Sequence, residues 1–337
     1  MTASDPNRPL RRRDVQYLHV ATSVRSIAAG LAAAAVLAAL ATGCGGSAST
    51  SRKEPAAAPR APFAYDASRP LAVGVGGRVN DVSYPIAIRD VSYATPSGRV
   101  DGYLVEPKGA KHLPAVIFVH GAGGDRRQLL FPAVWLAGRR AVSLTITEPS
   151  SVARVQPSGL TPAQSLARDR RLAVADVVAV RRAVDLLSGL PEVDPKRIGY
   201  LGWSLGARTG AVLAGLERRI GAFVLMSGGA TPISAYVAQA PASLRAQVRR
   251  TLSPIDPLRW ISRARPGTVF LQDGSRDEVV PRAALLALAH AAPKGTLLRW
   301  YAAPHELNRA AVRDQLSWLA RKLPIDGPAV ADAKTGP

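Results

Sequence analysis

Short, mainly apolar runs recur along the chain at 115–119, 141–146, 198–201, 222–226, 268–271 and 297–301, each separated from the next by at least a segment of helix length. A strand with one wet face alternates, whereas a continuous run marks a strand buried on both faces, so the pattern predicts a mostly parallel sheet with helices packed on each side. The helices are legible by spacing. Val177, Val180, Val184 and Leu187 form one apolar stripe, and Val312, Leu316, Leu319 and Leu323 form another. Upstream, segments 84–93 and 99–105 flank Thr95-Pro96-Ser97-Gly98, whose Pro and Gly suit a tight connection, so an opening hairpin is expected. Between two strands, 229–262 interrupts the alternation with Pro232, Pro241, Pro254 and Pro257 and is expected to form a small cap over a pocket.

The first 70 residues follow a different pattern. Arg8, Arg11, Arg12, Arg13 and Arg25 face only Asp5 and Asp14, and the next stretch, 27–41, is 15 residues of small or apolar character. This is the charged and then apolar order of an export signal, and the run falls short of the ~20 residues that span a bilayer. The run ends in Leu40-Ala41-Thr42-Gly43-Cys44, which resembles the lipobox of bacterial lipoproteins, with Ala41 where Leu is usual. That resemblance implies removal of 1–43 as a signal peptide and a diacylglycerol on Cys44, holding the chain on the extracytoplasmic face of a cell membrane. Residues 44–70, rich in Ser, Pro, Ala and Gly, are expected to be a flexible tether. The globular domain is then 71–323, and 324–337 a disordered tail.

Composition narrows the chemistry. Of 337 residues 47% are hydrophobic, enough for one large domain with a sizeable core. Lys and Arg number 44 against 24 Asp and Glu, a net charge of +20, and 37 of the basic residues are Arg. The charges are spread rather than clustered and no aromatic interleaving or recognition motif accompanies them, so no nucleic-acid partner is expected. Cys44 is the single cysteine, which excludes an intramolecular disulfide, a CxxC redox pair and a Cys-based zinc cluster. No metal-ligand spacing appears, and no cofactor is called for. Oligomeric state is not legible.

The chemistry lies in Gly202-Trp203-Ser204-Leu205-Gly206, set between the strand ending near Leu201 and a helix rich in small residues. That is the context of a nucleophile elbow, where a strained turn exposes a serine hydroxyl and flanking glycines keep Cβ atoms out of its crowded surroundings. A tight-turn serine is the bland alternative. The elbow and the segment Leu190-Pro191-Glu192-Val193-Asp194-Pro195-Lys196-Arg197-Ile198-Gly199 leading into it resemble the α/β-hydrolases, nearest the dienelactone-hydrolase and prolyl-oligopeptidase-like branch, over about residues 80–323. Two departures stand out: dienelactone hydrolases proper carry Cys at the elbow, and the chain has no room for the oligopeptidase propeller. The resemblance implies an α/β-hydrolase fold, with a small cap, and a serine hydrolase of small to medium carboxylic esters working through an acyl-enzyme. Peptide or thioester cleavage would use the same residues, and a non-catalytic binding lipoprotein would keep the fold without turnover.

A serine needs a base. His305 follows the last strand and precedes the last helix, where this fold places it, whereas His290 and His112 read as surface residues. His120-Gly121-Ala122-Gly123-Gly124 matches the family's oxyanion loop, which implies the Ala122 N–H as one donor, with the Leu205 N–H as the other. A phosphate cradle is the weaker reading of these glycines, since no Lys-Ser or Lys-Thr follows. For the orienting acid, Asp273 and Asp277 follow one strand. Asp273 is expected to bond neighbouring backbone N–H groups in a turn with Gly274, and the family pattern puts the acid at Asp277. Asp256, before Pro257, reads as a turn or helix start.

Overall fold

The computed structural model describes residues 62–80, 86–107, 109, 111–153 and 158–325. The signal expected over 1–43, Cys44 and the tail from residue 326 onward lie outside these residues. The expected hairpin is β2 (Ile86–Thr95) and β3 (Gly98–Pro107), paired antiparallel from Ile86 with Pro107 to Thr95 with Gly98. The apolar runs become β4 (Leu113–Val119), β5 (Val142–Ile146), β6 (Val193–Trp203), β7 (Ile220–Met226) and β8 (Val269–Gly274), all largely buried, and β9 (Leu297–Tyr301), an edge strand that is mostly half-buried, with Arg299 exposed, rather than buried on both faces. With β1 (Gly74–Arg78) they form one nine-stranded sheet among the described residues, in the order β1-β2-β3-β5-β4-β6-β7-β8-β9. From β5 to β9 every neighbouring pair is parallel, and β3 joins β5 antiparallel.

Helices cover both faces. One face packs against α3 (Pro162–Ser188) and α4 (Leu205–Leu216), where Val180, Val184, Leu187, Ala211 and Leu213 bury against Ile117, Ile198 and Leu225. The other packs against α1 (Leu130–Ala137) and α9 (Arg309–Lys322), where Leu136, Leu316 and Leu319 meet Val116, Phe118, Val224 and Phe270. The 27-residue α3 begins at a capping box: Thr161 Oγ1 accepts from the Gln164 N–H, and Gln164 Oε1 accepts from the Thr161 N–H. A single short turn, α2 (Pro149–Val152), follows β5, and α8 (Arg282–Ala291) links β8 to β9. Between β7 and β8 lie α5 (Ile233–Gln239), α6 (Ala242–Leu252), one 3₁₀ turn and α7 (Pro257–Ile261). This is the expected cap, and α5 and α6 pack on α3 through Leu166, Tyr236, Val248 and Leu252. Among the described residues no helix is long and apolar enough to cross a membrane.

The start of the domain differs from the expectation. Residues assigned to the end of a tether are packed: Phe63 is 1% exposed and its ring meets Trp260 edge-on at 5.6 Å. Tyr65 donates its hydroxyl to Asp185 at 3.0 Å. The buried Arg182 donates to the Arg69 carbonyl at 2.7 Å, and Arg181 to the Phe63 carbonyl at 2.8 Å. The boundary drawn at residue 70 is therefore too late, because Arg donors on α3 hold backbone carbonyls whose sequence context carries no hydrophobic period.

Candidate active site

The serine, its neighbours and the loops facing them gather at the carboxyl edge of the parallel strands, where β4, β6, β8 and β9 end. Ser204 links β6 to α4 with φ 55° and ψ −107°, a conformation that a residue bearing a Cβ adopts only when its surroundings impose it. Those surroundings are specific. The Ser204 N–H donates to the Met226 carbonyl at 2.8 Å, and the Gly206 N–H to the His120 carbonyl at 3.1 Å. A Cβ on Gly202 would lie 2.5 Å from the Gly206 oxygen, and one on Gly206 would overlap the Val119 and His120 carbonyl oxygens. Both glycines are thus required by close approach, as the motif suggested.

His305 lies in the loop after β9 and is buried. Its Nδ1 is 2.8 Å from Asp277 Oδ2, and the other Asp277 oxygen accepts from the Val279 and Val280 N–H groups, both at 2.9 Å. Burial pushes the Asp277 carboxyl up, but the His305 bond and the two N–H donors outweigh it and hold the group below its ordinary value. The His305 carbonyl is fixed by the Trp203 indole N–H at 3.1 Å and the Ser227 hydroxyl at 2.8 Å, and the Trp203 ring packs on the imidazole at 5.2 Å between centroids. A residue adjoining the elbow thereby sets the position of the histidine loop. Gly274 sets it from the other side: a Cβ there would lie 2.6 Å from the Ala303 oxygen and closer still to that of Pro304.

Ala122 and Leu205 line one cavity with Ser204. Neither N–H donates to any group among the described residues, since the elbow directs the Gly206 N–H, not that of Leu205, to His120. Two unsatisfied donors beside a serine suit an oxygen that gains negative charge. His120 braces this loop: its Nδ1 is 2.7 Å from the Gly121 carbonyl, and its Nε2 accepts from the Glu148 N–H at 3.0 Å. It is a neutral, structural imidazole. His112 and His290 are exposed, and Asp256 caps α7 by accepting from the Leu258 N–H at 3.0 Å.

Asp273 departs from its expected role. Among the described residues its carboxylate accepts no hydrogen bond, and burial, reinforced by the charge of Asp277, pushes it up to about 7. It belongs to β8 rather than to a turn, so the neighbouring N–H groups are already committed to the sheet.

Two further acids escaped the sequence reading. Glu148, the residue before α2, is fully buried; one carboxylate oxygen accepts from the Thr209 hydroxyl at 2.8 Å and the other has no partner among the described residues. Asp176 on α3 is 2% exposed, accepts from the Ser150 N–H at 2.9 Å and lines the cavity of Ser204. The available signal was an acid next to Val177, inside an apolar stripe. Among the described residues no group of three or more His, Cys, Asp or Glu side chains could hold a metal ion.

No family model matches the chain. Among curated proteins it is similar to a polyketide transferase of Stachybotrys chlorohalonatus, 30% identical over 139 residues, which is 40% of this chain and 42% of that protein. Among solved structures it is similar to the acetyl xylan esterase from Paenibacillus sp. R4, with a TM-score of 0.62 and 22% identity over 76% of this chain and 90% of that one. Acetyl xylan esterase 1 from Thermoanaerobacterium sp. JW/SL YS485 gives a TM-score of 0.59 at 19% identity, over 75% and 88%. The chain has the α/β-hydrolase fold.

Proposed function

We propose that the chain is a serine hydrolase of carboxylic esters that forms an acyl-enzyme on Ser204. The observation that carries this reading is the 2.8 Å bond from His305 Nδ1 to an ionised Asp277, in a loop held by Trp203, whose neighbour Ser204 is strained to φ 55° at the head of a helix. With Nδ1–H engaged, the proton-accepting nitrogen is Nε2. Ser204 Oγ attacks the ester carbonyl carbon as its proton passes to Nε2, and the carbonyl oxygen becomes an oxyanion facing the Ala122 and Leu205 N–H groups. Collapse expels the alcohol, whose oxygen takes that proton back. Water then attacks the acyl carbon, gives its proton to Nε2 in turn, and Ser204 leaves with it as the acid departs. Asp277 stabilises the imidazolium formed in each half. The esterase descriptions of the two structural neighbours favour esters over amides as first substrates to try.

A fluorophosphonate probe tests the reading: wild-type protein is expected to label at Ser204, and Ser204→Ala to lose both labelling and turnover. Labelling that persists in the variant overturns it. The anchor belongs to the same proposal, with Cys44 as the lipidated residue and the domain held at the outer face of a membrane. Labelled fatty acid is expected in the wild-type protein and not in Cys44→Ala, and two or more chains would keep the protein on vesicles through a salt wash. Recovery of wild type as a lipid-free species contradicts it.

A further inference from the structure

The cavity that reaches Ser204 encloses about 160 Å³ between α3, α4 and the cap, and its walls are mostly apolar, with Phe63, Val212, Tyr236 and Leu252 among them. It also has a polar side. Asp169 and Asp176 project from one face of α3, and Arg208 and Thr209 from α4, roughly 6–8 Å along the helix axis from Ser204 at 1.5 Å per residue. A buried acid facing an apolar cavity is costly unless something meets its oxygens.

Asp176 is met by one residue. Its carboxylate accepts from the Ser150 N–H at 2.9 Å, and the Ser150 side chain favours its charged form too, but burial outweighs both. Behind it, Glu148 is fully buried with one unpartnered oxygen. Two such acids cannot both ionise cheaply. Burial and the charge of Asp176 push Glu148 well above its ordinary value, so it holds the proton, while burial takes Asp176 up to about 7. Above that pH the cavity presents a carboxylate acceptor.

The side of the ester that enters follows from the lining. Ser204, Ala122 and Leu205 border the cavity, and His305 does not. A departing alcohol must leave beside the group that protonates it, so the cavity takes the acyl half. We infer that Asp176 is a specificity-determining residue that accepts a hydrogen bond from a hydroxyl or ammonium group carried on the acyl chain, making esters of hydroxy- or amino-substituted acids the preferred substrates. This rests on the reading of Ser204 as the acylated nucleophile.

The experiment avoids turnover. Ser204→Ala protein is titrated calorimetrically with methyl esters of graded acyl length, matched in size and ending in methyl, hydroxyl or ammonium. At one length the donor-ended ester is expected to bind at least tenfold more tightly than its methyl-ended partner, more so above pH 7. Adding Asp176→Leu is expected to abolish the advantage, and Asp176→Asn, which keeps an acceptor oxygen, to retain part of it. The hydroxyl and ammonium arms separate a neutral ligand from a charged one. No preference at any length, or a preference that survives Asp176→Leu, overturns the inference. Should Asp176→Leu not fold, loss of the pH dependence in Asp176→Asn decides the matter. Absence of probe labelling at Ser204 in wild type would instead overturn the hydrolase reading, so the two failures are distinct.

Discussion

Asp273 and Asp277 stand in one stretch of chain and are pushed in opposite directions. Asp277 has three donors and stays ionised below the ordinary carboxylate range; Asp273 has none, and burial holds its proton to about pH 7. The signs for stability follow from which state holds more protons. Asp277 adds stability above the unfolded value of about 3.9, and this is lost as pH falls through its lower folded value. For Asp273 the folded state keeps a proton that the unfolded chain has released, so its contribution falls as pH rises from about 4 to about 7 and is level above. Asp273→Asn is therefore expected to raise the unfolding temperature at pH 8 by roughly 2–4 °C, on the order of 1 kcal/mol, and by little at pH 4. Thermal melts across that range check it; a lower midpoint at pH 8 refutes it. Asp277→Asn is expected to leave the midpoint nearly unchanged near neutral pH and to cut kcat by about 10³–10⁴.

Elements with a strong apolar signature were the legible part. β4 through β8 lie where runs rich in Val, Ile, Leu and Phe put them, and α3 and α9 where the stripes put them, because burial on both faces or along one stripe leaves its period in the sequence; β9, at the sheet edge, lies at a run that Arg299 interrupts. β1 left none. It reads Gly74-Val75-Gly76-Gly77-Arg78, is largely exposed, and takes its place by edge pairing with β2, a backbone interaction that imposes no side-chain pattern. At the site, the strand-turn-helix placement of Ser204 and the pairing of His305 with Asp277 rather than Asp273 were legible from motif, order and family resemblance. Asp176 left only its place beside the Val177 stripe, and Glu148, in the connection after β5, left no signal, since a lone acid reads as solvated until the elements around it are packed. The role of Gly274 was also misread: it serves the approach of the 302–305 segment rather than a turn. Gly274→Ala is accordingly expected to displace the His305 loop, and a shift of about 1 Å there costs on the order of 100-fold in kcat. Steady-state kinetics alongside probe labelling check this, and unaltered kcat refutes it.

For the molecule as a whole, the sheet supplies a rigid floor and the cap a roof, but one wall of the cavity comes from upstream chain. Phe63 lines it, packs on Trp260 of α7 and is the first buried residue among those described. Phe63→Ala is expected to cost about 3–5 kcal/mol and to loosen discrimination among acyl lengths by widening the cavity, measurable by denaturant titration and an ester series. Retained stability and selectivity together would contradict that assignment. The same contact has a mechanical side. Tension drawn along the chain preceding residue 62 arrives at Phe63 and at the carbonyls held by Arg181 and Arg182 before it reaches any strand. A force on that end therefore loads the wall of the cavity at Ser204 first, and the sheet beneath it last.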